Sequence, residues 1–118
     1  VSDIADLILK KIMLLEETRE LLGHAAKVKA TTSAEYDKQL AIVLVKLSNG
    51  VELEVGGERI QKPPASTSEK IAKGIVSDFK FAMDVAESEY KSMITKLECI
   101  KQELCGYQSI NRYLDTTV

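Results

Sequence analysis

The side chains of this sequence best equipped to meet a charged partner are cations. Arg59, Lys62, Lys70, Lys73 and Lys80 fall within residues 59–80, against only Glu69 and Asp78. Such a stretch can follow a phosphate backbone, each contact releasing counterions and making affinity salt-dependent. Near the end, "CGYQSINRYL" (105–114) carries Tyr107, Arg112 and Tyr113. A tyrosine ring with an exposed face can stack on an unpaired base and needs no groove to do so. The simpler account makes the lysines a solvated surface and the tyrosines part of a helical seam, with their hydroxyls at its rim.

Catalytic chemistry has less to work with. General acid–base work needs groups converging from a scaffold. Glu87 and Glu89 diverge on a helix, while Glu52 and Glu54 read as the polar side of an extended segment. With one histidine, His24, no Cys/His pattern for zinc recurs. "EVGGER" lacks the GK[ST] of a phosphate loop, and its glycines open no helix. Cys99 and Cys105 stand six apart on one helical pattern, separated by roughly 9 Å along its axis. That is beyond disulfide reach, so the pair reads as reduced surface or interface thiols in a reducing compartment. The expectation is a protein that is not an enzyme and uses no cofactor and no metal.

These residues must be held by helices. The chain has 118 residues, 45% apolar and 29% charged, with two prolines and no Trp, which fits one helical domain and excludes a disordered or collagenous chain. Its net charge of −2 creates no global basic field. The most apolar run, "LAIVLV" (40–45), is far below the ~20 residues that span a bilayer. No segment has the order of a secretory signal, so the chain is expected to be soluble, cytoplasmic and free of membrane.

Residues 3–30 read as a first helix. One apolar row is Ile4, Ile8, Ile12, Leu15, Leu22 and Ala26; a second is Leu7, Leu14, Leu21, Ala25 and Val28. Two rows suit a helix that touches two neighbours. Ser2 and Asp3 offer its caps. Thr32 and Glu35 have capping-box spacing, so a second helix is expected from near Ser33, presenting Tyr36, Leu40, Val43, Leu44 and Leu47. It should stop at Asn49 or Gly50 and give way to an extended Val51–Val55. The rival reading is a short β-hairpin near 42–55, turning at Asn49-Gly50 between "AIVLVKL" and "VELEV". Residues 51–68 form the connection, with a turn at Gly56-Gly57, a stiff Pro63-Pro64, and Ser66 and Thr67 preparing the next cap.

The last portion, 69–116, reads as one long helix. From Phe79, the positions Met83, Ala86, Tyr90, Met93, Leu97, Ile100, Leu104, Tyr107, Asn111 and Leu114 alternate spacings of four and three. This heptad pattern specifies one packed seam. From Val76 to Leu114 it would extend roughly 58 Å, so it must pair with the first helix, another chain, or both. Met93, Leu97, Ile100, Leu104, Tyr107, Asn111 and Leu114 are the candidate oligomerisation residues. Asn111, at an a position, would fix register at a cost in stability. The expected fold is thus all-α: a helical hairpin or coiled-coil-like single domain over 1–118, with N-terminal helices in 1–50.

The layout, together with "KPPASTSEKIAKG" and "AESEYKSMITKLECIKQELCGYQSINRYL", resembles small helical phage and prophage proteins, and is similar to recombination mediators of the UvsY type. The resemblance implies a homo-oligomer that binds single-stranded DNA and a recombinase or single-strand-binding protein. Arg59, Lys62, Lys70, Lys73, Arg112 and Tyr113 are the candidate nucleic-acid contacts. The alternative is a helical adaptor or inhibitor that binds only protein, such as a phage factor acting on a host protein.

Overall fold

The computed structural model describes residues 2–117, and side chains for 3–116. Its elements run α1 (Ser2–Ser48), β1 (Leu53–Val55), β2 (Glu58–Ile60), α2 (Ala65–Ile75) and α3 (Ser77–Thr117). The all-α expectation holds, with a short hairpin inserted. The chain packs as two compact units: unit 1 holds residues 1–27 and 88–118, and unit 2 holds residues 28–87.

The expected break at "TTSAEY" does not occur; α1 is continuous over 47 residues. Thr32 does not cap a new helix. Its hydroxyl donates backward to the carbonyls of Val28 (2.9 Å) and Lys29 (3.1 Å), which a Thr can do without leaving the helix. Glu35 is engaged forward by Gln39, whose amide donates to it at 2.9 Å, instead of reaching back to close a capping box. The cap expected at Ser2 lies outside the described side chains.

The stop of α1 falls where expected. Gly50 adopts φ +75°, its N–H bonds the Leu47 carbonyl (3.2 Å), and the Val51 N–H bonds that of Lys46 (3.0 Å). This pair of bonds around a left-handed glycine is the Schellman arrangement, which satisfies the last carbonyls of the helix. Because Asn49-Gly50 is consumed in stopping α1, no hairpin turns there. The hairpin turns instead at Gly56-Gly57, with φ of +57° and +85°. Two positive-φ residues make the primed turn that matches strand twist. It pairs Leu53 with Ile60, Glu54 with Arg59 and Val55 with Glu58. The extended segment expected at 51–55 is therefore half of a hairpin, and its partner strand lies in what reads as connection.

The long helix expected over 69–116 is two helices. α2 begins at Ala65, earlier than 69, after Pro64 in an extended conformation. Ser66 is not its cap; the hydroxyls of Thr67 and Ser68 donate back to the Pro64 carbonyl at 3.0 and 3.1 Å. The interruption falls at Val76, whose ψ of 18° leaves the helical range. Val76 is buried, with 2% of its surface exposed, so the break delivers a β-branched side chain into the core of unit 2. That core joins Val43 and Leu47 of α1 to Ala72 and Val76, with Tyr36, Leu40, Leu44, Leu53, Ile71 and Ile75 packed around them.

In unit 1 the α1 and α3 segments bury Leu15, Thr18 and Ile100. Within unit 1 the sheltered α1 positions include Ile4, Ile8, Lys11, Leu15, Thr18, Leu22 and Ala25, alternating four and three, with Leu14 half-buried beside them. That seam keeps Ile4, Ile8, Leu15 and Leu22 of the first expected row and Ala25 of the second. Lys11 and Thr18 hold positions where a search for apolar residues would not look, while Ile12, Ala26, Leu7 and Leu21 stay exposed. Thr18 is wholly buried, and its hydroxyl finds no hydrogen-bond partner. A desolvated, unpaired hydroxyl costs about 1–3 kcal/mol. Thr18→Val keeps the branched shape and removes that hydroxyl. It should stabilise the chain by about 1 kcal/mol and raise Tm by about 4 °C. A lower Tm in a calorimetric scan would instead show the hydroxyl to be bonded in solution.

Candidate functional site

The expected nucleic-acid residues are all exposed, but they are not one constellation. Arg59 on β2, Lys62 after it, and Lys70 and Lys73 on α2 belong to unit 2; Arg112 and Tyr113, on α3, belong to unit 1. Each group is held differently. Arg59 sits 3.6 Å from Glu52, and Lys73 is 3.2 Å from Glu69, one helical turn away. Lys80 pairs with Asp84 at 3.2 Å and lies 5.6 Å from the centre of the Tyr36 ring, within cation–π range. Exposed pairs of this kind contribute little stability, at most about 1 kcal/mol each. They do offset local positive charge.

Lys62 has a backbone of its own kind. Its φ is +47°, a left-handed conformation that costs a non-glycine residue roughly 1–2 kcal/mol. Its side chain crosses Gly50, where an added Cβ would lie 2.8 Å from Lys62 Cε. Gln61 donates to the Gly50 carbonyl at 3.0 Å, tying the end of the hairpin to the end of α1. The Schellman glycine and the segment carrying Lys62 are thus held against each other.

On α3, the heptad positions of unit 1 form its sheltered face. Ile100 is buried, while Met93, Leu97, Leu104, Tyr107, Asn111 and Leu114 are half-buried. The first helix supplies one of the pairings expected for this seam: the α1 segment shares unit 1 with it, and the Lys11 ammonium pairs with the Glu103 carboxylate. That hydrogen bond to Glu103 raises the Lys11 pKa above its ordinary value, against the partial desolvation that would lower it. Asn111 is half-buried within the seam, and Arg112 and Tyr113 stand outside it.

What the chain leaves uncovered is apolar surface that the expected sites did not include. In unit 1, α1 exposes Leu7, Leu9, Ile12, Met13 and Leu21, and α3 exposes Ile110 and Tyr113. In unit 2, Ile42 and Val45, with Ala41 and Lys46, line a shallow apolar depression on one side of α1. Phe81 is 71% exposed on α3. The readable signal in unit 1 was the strict seven-residue spacing of Leu7, Leu14 and Leu21, taken in the sequence as core. Cys99 and Cys105 are both free and exposed. Among the described residues no cluster of His, Cys, Asp or Glu could hold a metal ion, and no helix is long and apolar enough to cross a membrane. Compared with known proteins, the chain matches no family model, no curated protein and no solved structure.

Proposed function

We propose that this chain is a non-enzymatic recombination accessory protein that self-associates and contacts single-stranded DNA together with a recombinase or single-strand-binding protein. The observation that best supports this reading is the end of α3. There Tyr113 keeps 67% of its surface exposed and the preceding residue, Arg112, is exposed as well, so a ring face and a cation leave adjacent sides of the same helix end. A base can stack on that ring while the guanidinium meets the backbone phosphate. Lys62 and Lys70 add exposed cations in the other unit.

A protein-only adaptor or inhibitor is the second reading. It is favoured by the pairing of Arg59 with Glu52 and Lys73 with Glu69, and by the amount of exposed apolar side chain. Mass-resolved chromatography with and without a long single-stranded oligonucleotide, at low and moderate salt, separates the two. DNA contact predicts co-elution that weakens steeply with salt and is nearly indifferent to base sequence. Neutralising Lys62, Lys70 and Lys73 together should then flatten the log K against log salt slope by up to about 2. Tyr113→Ala should weaken binding by roughly 1–3 kcal/mol with a smaller change of slope. If the unaltered protein shows no co-elution even at low salt, direct DNA contact is wrong and the adaptor reading stands.

A further inference from the structure

Unit 1 buries one side of the α1 segment against α3 and leaves an adjacent side uncovered. On that side Leu7, Leu14 and Leu21 recur every seven residues; Leu7 and Leu21 are 37% and 41% exposed, and Leu14 is half-buried. One turn position away runs a second row, Asp3, Lys10, Glu17 and His24, all exposed. The charged row rims the leucines on the side away from the α3 seam, as charges flank the apolar row of a helix-packing contact. A row of leucines rimmed by charges is a surface built to be covered.

The order of the charges identifies what covers it. Lys10 lies four residues before Leu14, and Glu17 three residues after it. Place a second copy of the same helix antiparallel, with a two-fold axis passing at Leu14. Leu14 then faces Leu14, Leu7 faces Leu21, and Lys10 of each copy comes beside Glu17 of the other. In a parallel, in-register pair the charged rows of the two copies would lie on opposite flanks of the contact, and neither Lys10 nor Glu17 would find the other. Opposite charges across such a seam favour a register, and like charges oppose it. A two-fold contact is also self-complementary by construction, since each copy offers the same patch.

We propose that this leucine row of α1 is the surface on which a second copy of the chain docks, antiparallel and centred on Leu14. The proposal rests on the self-association put forward above and moves its site from the α3 seam to α1. In a Cys99→Ser, Cys105→Ser background, chains carrying Leu7→Cys and chains carrying Leu21→Cys are mixed and oxidised. Antiparallel docking brings unlike variants within disulfide reach, so the mixed dimer should exceed either like dimer by about fivefold or more. A second arm reverses charge: Lys10→Glu and Glu17→Lys should each weaken the dimer in sedimentation, and the double variant should restore it. Like dimers in excess would overturn the antiparallel arrangement. An oligomer of the unaltered chain that is indifferent to both arms would overturn this surface while leaving self-association intact. A monomer at every concentration would overturn both. Helical circular dichroism of each variant distinguishes these outcomes from misfolding.

Discussion

Leu47→Ala should cost unit 2 about 2–5 kcal/mol, which in a chain of this size is a large share of all its stability. Leu47 has only 2% of its surface exposed and stands near the end of α1. It packs with Val43, Ala72 and Val76. Ala72 is already small, so little side-chain volume is at hand to collapse into the space left behind. The loss therefore includes the cavity as well as the lost burial. Leu47 is also one residue from the end of α1, and its carbonyl accepts the Gly50 N–H of the helix stop. Urea unfolding monitored by circular dichroism should show a lower midpoint with the slope retained. Val45→Ala serves as control: Val45 is 58% exposed on the same helix and should shift the midpoint little. Equal effects for the two would place the core elsewhere.

The second large effect is expected in unit 1. Ile100→Asp puts a carboxylate where 4% of the native surface is exposed, on the α3 face turned to α1. The cation that reaches this part of α3, Lys11, is engaged by Glu103, three residues after Ile100. A buried charge without a partner is among the few changes that destabilise by on the order of 4 kcal/mol or more. Cys99→Asp, at the neighbouring exposed position, should be nearly silent. Helical signal and unfolding midpoint measured on both variants decide the matter. If the two behave alike, the face carrying Ile100 is not the sheltered one.

The contrast between these neighbours also explains what could be read from the sequence. The α3 seam was legible because its residues are mostly apolar and evenly spaced; the sheltered face of α3 runs through Met93, Leu97, Ile100, Leu104, Tyr107, Asn111 and Leu114. The seam of α1 was legible in part, through Ile4, Ile8, Leu15 and Leu22, but Lys11 and Thr18 complete it and apolar residues surround it on several sides. Helix continuity through Thr31-Thr32-Ser33 was hidden by a capping-box spacing whose hydroxyl bonds backward. The break at Val76 is marked in the sequence only by Gly74 before it and Ser77-Asp78 after it, with no proline; the core of unit 2 holds Val76 in place. The hairpin competed with a stronger turn signal, Asn49-Gly50, which α1 had already taken for its own end. The six candidate nucleic-acid contacts are marked by residue type and by nearness in sequence, which say nothing of grouping in space, and they divide four and two between the units.

That division of the chain has a consequence for how its parts depend on one another. Unit 2 is a single stretch, Val28–Glu87, whereas unit 1 is assembled from the two ends that flank it. Bringing those ends together with unit 2 unfolded would mean closing a loop of 60 residues (28 through 87). The entropy of such a closure is about 4 kcal/mol, from 3/2 RT ln n. With unit 2 folded, the wandering of that stretch has already been removed, and the ends meet without paying for it again. Order in the middle of the chain is in this sense a standing contribution to order at its extremities. A weakened Leu47 would be felt at Ile100.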